Sequence, residues 1–245
     1  MTLHTSGYTV AGDVLPLTHA RILWNPITGT APGGGAGPEL ALNDYTFQRF
    51  AASAGAQTWT LATDASADID TIMIAAHSLA GKTVVVATSS TTGGSFIDRA
   101  TITPADNSAI AIMLNETSGA PISIRRIRLS IDDGTGVTIG IIRAGVALQM
   151  ARPVFGGVQP IGLTRAVEAR NAQSETGQDL GVTIQRQALR TVMPWQNLPA
   201  AWYREHFEPF SAALPAARFG LIQNAARMPE SVAWCWTSET PQPEN

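Results

Sequence analysis

Short β-type segments separated by turn residues run through residues 15–128, and this spacing constrains the fold more than any other feature of the chain. Such segments at intervals of about 8–12 residues are typical of all-β domains. Residues 57–61 alternate polar and apolar side chains, as a strand with one solvated face does, whereas residues 69–76 are apolar enough for a central strand buried on both faces. This part is therefore predicted to be a β-sandwich or jelly roll.

The chain length and the turn signals predict two domains, since about 100–200 residues per domain is usual. A turn cluster at residues 132–136 and the Arg152-Pro153 pair bracket the last segment of the sandwich, so the boundary is placed near residue 150. Further strands are predicted at residues 20–24, 82–88, 108–115, 122–131 and 137–150. We expect an N-terminal arm at 1–19, the sandwich at 20–150, a second β domain at 151–238 and a polar tail at 239–245.

A long hairpin is the main feature predicted in the second domain. Residues 163–171 and 181–192 alternate weakly around a polar tip at 172–179, and both strands carry polar side chains, so neither face is expected to be wholly core. An isolated pair of strands is marginal in water and its open edges invite pairing, so neighbouring subunits are expected to complete the sheet. The candidate assembly residues are Arg165, Glu168, Arg170, Glu175, Asp179, Gln185, Arg186 and Arg190.

One amphipathic helix is predicted near residues 198–208. Asn197 is placed as its N-cap, and Tyr203, Phe207 and Phe210 form an apolar stripe at helical spacing. Pro209 is expected to end or kink the helix. The helix should lie on a sheet built from the hairpin and the strand segments at residues 219–222 and 232–236.

Charge and cysteine content argue against several functional classes. Charged residues make up only 14% of the chain, its net charge is −3, and Lys82 is its one lysine, so no basic patch for nucleic acid is expected. A surface so poor in charge suits contact with partners, and a genome biased toward small residues is the alternative explanation. Cys235, the single cysteine, excludes an internal disulfide and a cysteine metal cluster. No secretory signal is recognisable and no apolar run approaches the ~20 residues of a membrane span, so the chain is expected to be made in a reducing cytoplasm and not to be secreted by the ordinary route.

No catalytic or metal-binding pattern is recognisable in the sequence. His77 next to Ser78 lacks a nucleophile elbow, and Asp64, Asp68 and Asp70 lack the glycine of an EF-type loop, so they are assigned as turn and cap residues. The glycine-rich residues 33–37 lack the Gly-Lys-Ser/Thr end of a phosphate loop and are assigned as a flexible loop. The remaining histidines are scattered singly: His4, His19 and His206. We expect no enzyme, cofactor or metal.

Four aromatic residues are numerous enough to line a sugar-binding face, because sugar rings stack on aromatic rings. They are Trp24, Tyr45, Phe47 and Trp59. On strands that alternate, aromatic side chains more often lie in the core. Exposed loop aromatics would therefore favour a carbohydrate-binding adhesin over a structural role.

Residues 40–44 through 59–61, then 70–79 and 126–129, resemble discoidin-like (galactose-binding-like) β-sandwiches. Residues 150–157 through 202–207, ending at 229–237, are similar to structural proteins of tailed bacteriophages. The strand–hairpin–helix–strand order there also resembles the tail-tube-type fold of tube and distal tail proteins, which assemble as hexameric rings. The fold class implied is mainly β, with a discoidin-like sandwich followed by a tail-tube-like β domain and one packed helix.

These resemblances imply a structural protein of the virion, at the tail tip or baseplate of a long-tailed phage. Its partners would be copies of itself in a ring, the tail tube, the baseplate hub and fibre proteins. The ring would surround the channel through which viral DNA passes without specific binding. The alternative is a carbohydrate-binding adhesin with weak glycan affinity, and a third hypothesis, a cell-wall hydrolase, finds no nucleophile or acid pair in the sequence.

Overall fold

The computed structural model of the chain describes residues 2–6, 17–114, 120–154 and 159–237. For residues 2–6 and Arg186 only the backbone is described. The polar tail expected at residues 239–245 lies outside the described residues, and the expected N-terminal arm lies within them only in part.

The described residues form a mainly β protein with one principal helical segment, as the sequence predicts. The strands are β1 Thr2–Ser6, β2 Arg21–Leu23, β3 Phe50–Ala51, β4 Gln57–Ile69, β5 Thr71–His77, β6 Val84–Ser89, β7 Ile97–Ile102, β8 Ile110–Leu114, β9 Ile122–Ile131, β10 Thr138–Gly145, β11 Leu148–Gln149, β12 Arg165–Gln173, β13 Asp179–Leu189, β14 Phe219–Asn224 and β15 Met228–Cys235. The helical elements are α1 Ala200–Trp202, a π-helical turn Tyr203–Phe207, α2 Glu208–Ala213, and two 3-10 turns at Pro38–Leu42 and Ile161–Leu163.

Two sheets form the predicted sandwich. One has the order β1-β8-β5-β10-β3 and the other β4-β9-β6-β7. The pairing is antiparallel except between β1 and β8. The central strand β5 is buried along nearly its whole length, and Phe50, Trp59, Ile72 and Leu129 belong to the core between the sheets. The sequence had indicated no strand at β7, which is mostly exposed and lies at a sheet edge.

A third sheet has the order β11-β2-β14-β15. Residues 20–24 were expected in the sandwich, but β2 pairs instead with β14 and β11, through the register Leu23↔Gly220 and Ile22↔Leu148. A three-residue apolar strand suits several sheets, so its sequence does not identify its partner. The sandwich strands β3–β10 are therefore inserted between two strands of this third sheet.

The helical segment packs on this third sheet, as predicted, but its ends differ from the prediction. Pro199 is the N-cap residue, while Asn197 takes a left-handed conformation (φ 56) and does not cap the helix. The segment continues past Pro209 to Ala213. Proline has no N–H to give to the carbonyl four residues earlier, and the π-helical turn immediately before α2 changes the bonding pattern at that point. Phe207 and Phe210 are buried in the core beneath the helix.

The hairpin does not join the sheet beneath the helix, where it was expected from the sequence. Strands β12 and β13 form a separate two-stranded sheet. The base of the hairpin is closed by a hydrogen bond from the Arg190 backbone N–H to the Thr164 carbonyl, 2.9 Å long. Since β14 pairs with β2 on one side and β15 on the other, that sheet offers the hairpin no place beside β14.

Candidate functional site

The hairpin arm, defined as residues 165–189, is exposed along its whole length. Strand β12 is exposed at every position but one, and each β13 residue whose side chain is described is exposed as well. Some of the exposed side chains are apolar: Val182 is 59% exposed and Ile184 is 53% exposed. Exposed apolar side chains do not stabilise a monomer, so the arm is a candidate interaction surface.

Four of the five large exposed apolar side chains of the arm share one face, and the fifth, Leu180, lies at the second register shift. Cross-strand partners in an antiparallel pair point to the same side of the sheet. The register sets Val167 and Ala169 on one face of β12, and the face is completed across the ladder by Leu189, Ile184 and Val182. As the sequence predicted, this face also carries polar residues, namely Arg165, Asn171 and Gln187. The sequence did not indicate that large apolar side chains gather on it.

A β-bulge explains why the alternation in the sequence concealed this face. The register shifts between Glu168 and Ala169, so that Gln185 has no partner of its own on β12. Counting every second residue from Ile184 would place Leu189 on the opposite side. The extra residue reverses the alternation and returns Leu189 to the face that carries Ile184.

The predicted assembly residues are distributed over the arm rather than gathered in one site. Glu168 and Arg170 lie on the polar face, where Glu168 is opposite Arg186, while Arg165 lies at the base of the apolar face. Gln185 occupies the bulge, and Arg190 directly follows β13. Glu175 is exposed at the tip, and the Asp179 carboxylate accepts the Gly181 backbone N–H at 2.9 Å.

A second exposed surface, the aromatic loop of residues 43–49, lies on the sandwich. Tyr45 and Phe47 are 56% and 76% exposed, and their ring centroids are 5.6 Å apart. The loop is held by hydrogen bonds from the Asn43 amide to the Leu40 carbonyl (2.6 Å) and from the Tyr45 backbone N–H to the Asn43 side-chain oxygen (2.7 Å). The rings are thus presented on a backbone that is already fixed.

A polar cavity of about 380 Å³ borders the aromatic loop. Arg143, largely buried, donates to the Leu42 carbonyl and to the Asp44 carboxylate, the latter at 2.8 Å. Arg218 and Tyr45 also line the cavity. Charged groups next to exposed aromatic rings can hydrogen-bond to sugar hydroxyls and stack on sugar rings.

The other two aromatic residues considered for a sugar-binding face do not belong to the aromatic loop. Trp59 is fully buried in the sandwich core, where its ring N–H donates to the Pro38 carbonyl at 2.9 Å. Trp24 is half-buried, packs against Phe210 with ring centroids 6.0 Å apart, and lines a separate cavity. The structure thus separates one core residue and one half-buried residue from the two exposed loop residues.

The residues considered as candidates for catalysis or metal binding make contacts that stabilise the fold. The His77 ring nitrogens contact the Ser108 carbonyl (2.7 Å) and the Leu79 backbone N–H (3.2 Å), and burial lowers the pKa of this histidine. Burial raises the pKa of the Cys235 thiol to about 12, so it stays protonated at neutral pH. Asp70 lies at the bend between β4 and β5 and forms a buried ion pair with Arg21, whereas Asp64 and Asp68, also expected at turns or caps, lie within β4. Within the described residues, no group of three or more potential ligands could hold a metal ion.

None of the helices in the described part of the chain combines the length and the apolar character needed to cross a membrane. No family model matches the sequence, and no curated protein matches it significantly.

Several solved carbohydrate-binding modules are similar to this structure. A family 32 module of NanJ from C. perfringens, in complex with galactose, is 13% identical with a TM-score of 0.41, and the match covers 50% of this chain and 98% of that one. A chitosan-binding module from Paenibacillus sp. IK-5 is 16% identical with a TM-score of 0.39, covering 48% and 92%. Truncated AlyQ, with family 32 and alginate lyase domains, is 12% identical with a TM-score of 0.39, covering 65% and 41%.

These matches agree with the discoidin-like, galactose-binding-like sandwich expected from the sequence. With identities below 25% and TM-scores below 0.5, they transfer no ligand, partner or activity to this chain. None of the three is a phage tail protein, so the tail-tip assignment depends on the sequence resemblance alone.

Proposed function

We propose that the protein is a non-catalytic structural component that assembles with copies of itself through the hairpin arm. The observation that carries this proposal is the exposed apolar face of Val167, Ala169, Val182, Ile184 and Leu189. Complete burial of a large apolar side chain stabilises a protein by about 1.5–3 kcal/mol. In a monomer, where these side chains are about half exposed, on the order of 1 kcal/mol of that stabilisation is missing for each. Contacts with neighbouring copies recover this free energy.

The open edges of the arm support the same proposal. A two-stranded sheet leaves one edge of β12 and one edge of β13 unpaired. Such edges add strands from other chains unless they are blocked. When the β13 edge of one copy meets the β12 edge of the next, the contact is head-to-tail, and a closed ring limits its growth.

In its most specific form, the proposal places the ring at the tail tip or baseplate of a long-tailed phage, as a distal-tail-type protein around the DNA channel. This setting comes from the resemblance of residues 150–157, 202–207 and 229–237 to phage structural proteins. The low charge of the chain suits extensive subunit contacts. Genes for a tape measure before this one and for hub proteins after it would support the setting, as would six-fold rings seated on isolated tail tubes.

Replacing residues 166–188 with a short Gly–Asn–Gly turn tests the assembly. This change joins Arg165 to Leu189, the facing residue at the base of the arm, and leaves the other sheets intact. Light scattering after size exclusion should find oligomers of the intact chain and monomers of the armless one, with equal unfolding temperatures. Monomeric intact protein at high concentration, or armless protein that still assembles, would contradict the proposal.

Glycan binding by the aromatic loop is the second candidate function, and the exposed pair Tyr45 and Phe47 favours it. The modules with similar structures include one in complex with galactose and one described as chitosan-binding. Sugar binding of micromolar to millimolar affinity is expected at the loop. It does not conflict with assembly, because the loop and the arm belong to different parts of the fold.

A glycan array followed by calorimetric titration tests this second candidate. The Tyr45→Ala/Phe47→Ala double variant should lose binding, because the stacking surface is removed. Leu163→Ala, which truncates an exposed apolar side chain outside the loop, should retain it. An array without any response, or equal affinity in the double variant, would reject the loop as a sugar site.

A further inference from the structure

Two arginines and a phenylalanine form a compact group on the outer face of the four-stranded sheet β4-β9-β6-β7. The guanidinium carbons of Arg126 and Arg128 lie 4.5 Å and 4.3 Å from the Phe96 ring centroid. Both are cation–π contacts, and they bring two positive charges together around one ring. Neither arginine belongs to the hairpin arm or to the aromatic loop.

Only some of the guanidinium N–H donors of Arg126 and Arg128 are hydrogen-bonded to protein acceptors. Arg126 donates to the Gly94 carbonyl at 2.6 Å, and Arg128 reaches the Asp98 carboxylate only at 3.9 Å. The Nε–H groups of both arginines are buried, so a ligand on the surface would be held by the terminal N–H groups. Each guanidinium has four terminal N–H donors, and the contacts with Gly94 and Asp98 leave several of them for a ligand.

The charge around the pair is unbalanced. Asp98 provides the one acidic group within 4.0 Å of either guanidinium among the described residues, and its side chain is 69% exposed. Two cations that share one counter-ion at this distance repel each other. An anion held by the terminal N–H groups of both would reduce this repulsion.

Small and hydroxyl side chains surround the pair on the outer face of the sheet. The cross-strand neighbours of Arg128 are Thr60 and Ala87, and those of Arg126 are Ala62 and Ser89. Residues 90–95, in the loop that joins β6 to β7, consist entirely of serine, threonine and glycine. Such a sheet face, with hydroxyl groups beside two cations, suits an extended polymer that carries both acidic and hydroxyl groups.

We propose that Arg126, Arg128 and Phe96 form a binding site for the acidic groups of an extended anionic polysaccharide. The planar guanidinium forks match a carboxylate in bidentate geometry, and the Ser/Thr loop would hydrogen-bond to neighbouring sugar hydroxyls. The site is independent of both proposed functions, because it uses another face of the molecule.

Calorimetric titration of the full chain with polygalacturonate tests this site, with dextran sulfate, neutral dextran and polyglutamate as comparison polymers. Polygalacturonate should bind and neutral dextran should not, with an affinity that falls as salt concentration rises. The Arg126→Gln/Arg128→Gln variant should lose affinity by on the order of tenfold or more. Arg227→Gln removes a single positive charge at an exposed turn and should change the affinity little.

The Arg128→Lys variant distinguishes the effect of the planar guanidinium from the effect of its positive charge. It also tests the site if the double variant fails to fold. It keeps the positive charge but loses the planar fork, so polygalacturonate affinity should fall while the unfolding temperature is unchanged. Equal binding by wild type and Arg128→Lys, equal binding of neutral dextran, or binding of polyglutamate without polygalacturonate would each overturn the proposal. Preference for dextran sulfate over polygalacturonate would overturn the carboxylate assignment.

Discussion

Asp70 links the sandwich to the third sheet through a single carboxylate. It follows β4, and its partner Arg21 is on β2 in the other sheet; the Arg21 side chain is 2% exposed. The same carboxylate accepts the Thr71 hydroxyl at 2.8 Å and the Ala147 backbone N–H at 2.9 Å. A buried charge with three donors is well satisfied, and losing it leaves the Arg21 guanidinium without this counter-charge.

We expect Asp70→Asn to lower the free energy of unfolding by about 3 kcal/mol or more, as is usual when one partner of a buried ion pair is removed. Chemical denaturation followed by fluorescence measures the change. Asp68→Asn, two residues earlier and exposed, should stay within about 0.5 kcal/mol of wild type. Equal effects of the two substitutions would show that the ion pair does not stabilise the fold.

Gly34 lies where the glycine-rich loop of residues 33–37 approaches the backbone of the sandwich closely. It has a φ of +90°, and a Cβ there would lie 2.0 Å from the Thr58 carbonyl oxygen. Nearby, Ala36 and Ala51 exchange two backbone hydrogen bonds of 2.8 Å and 3.0 Å. The glycine-rich segment, assigned from its composition as a flexible loop, is therefore fixed against the sandwich, and its glycines permit the close approach.

At the scale of elements, the arm differs from every other described strand pair in having no apolar side packed in a core. In the sandwich, β4 and β9 bury alternate residues, whereas nearly all of the arm is exposed. Its two faces nevertheless differ, because the bulge at Gln185 collects the large apolar side chains on one of them. We therefore expect a neighbouring copy to pack on the apolar face of the arm.

Substitutions on the two faces of the arm should therefore have unequal effects. Val182→Thr with Ile184→Thr should weaken self-association by at least about tenfold, because two apolar contacts are lost for each subunit, while the unfolding temperature stays constant. Glu168→Gln with Arg170→Gln, on the polar face, should alter association less. Sedimentation equilibrium measures both. A larger effect from the polar face would reverse the proposed orientation of the arm.

At the scale of the whole molecule, most of the sandwich is an insertion into the third sheet, although its strand β1 precedes β2 in the chain. Strand β2 lies between β11 and β14, although the sandwich strands β3–β10 separate it from both of them in the chain. The two ends of the insertion are close, since the Ile27 backbone N–H donates to the Ala144 carbonyl at 2.8 Å. The two parts also pack together, since Leu23, Ile222 and Val232 form one buried cluster with Met73 and Met113 of the sandwich.

A fragment of residues 146–237 should fail to fold, because it lacks β2 in the middle of its sheet. Joining residues 17–26 to its start through a short Gly/Ser linker supplies β2 and should restore folding. The product should be less stable than the whole chain, because Arg21 loses Asp70 and because Leu23, Ile222 and Val232 lose Met73 and Met113 of the sandwich. Circular dichroism and amide exchange by NMR distinguish the two fragments. A folded 146–237 fragment would mean that the helix and β14–β15 suffice without β2.

The sequence alone determined the β class, the hairpin, the helix stripe of Phe207 and Phe210 and the burial of β5. These depend on local alternation and turn chemistry, which each segment carries within itself. The composition also excluded a disulfide, because a single Cys235 has no partner.

Tertiary structure alone decided which strands pair, because β2 is three residues long and fits any apolar neighbour. It also decided that Asp70 is buried against Arg21, 49 residues away in the chain. The apolar face of the arm depends on one extra residue at Gln185, which reverses the phase of the alternation. The physical reason is common to all three: pairing partners, burial and register depend on contacts between distant segments, and these contacts leave no trace in a local pattern.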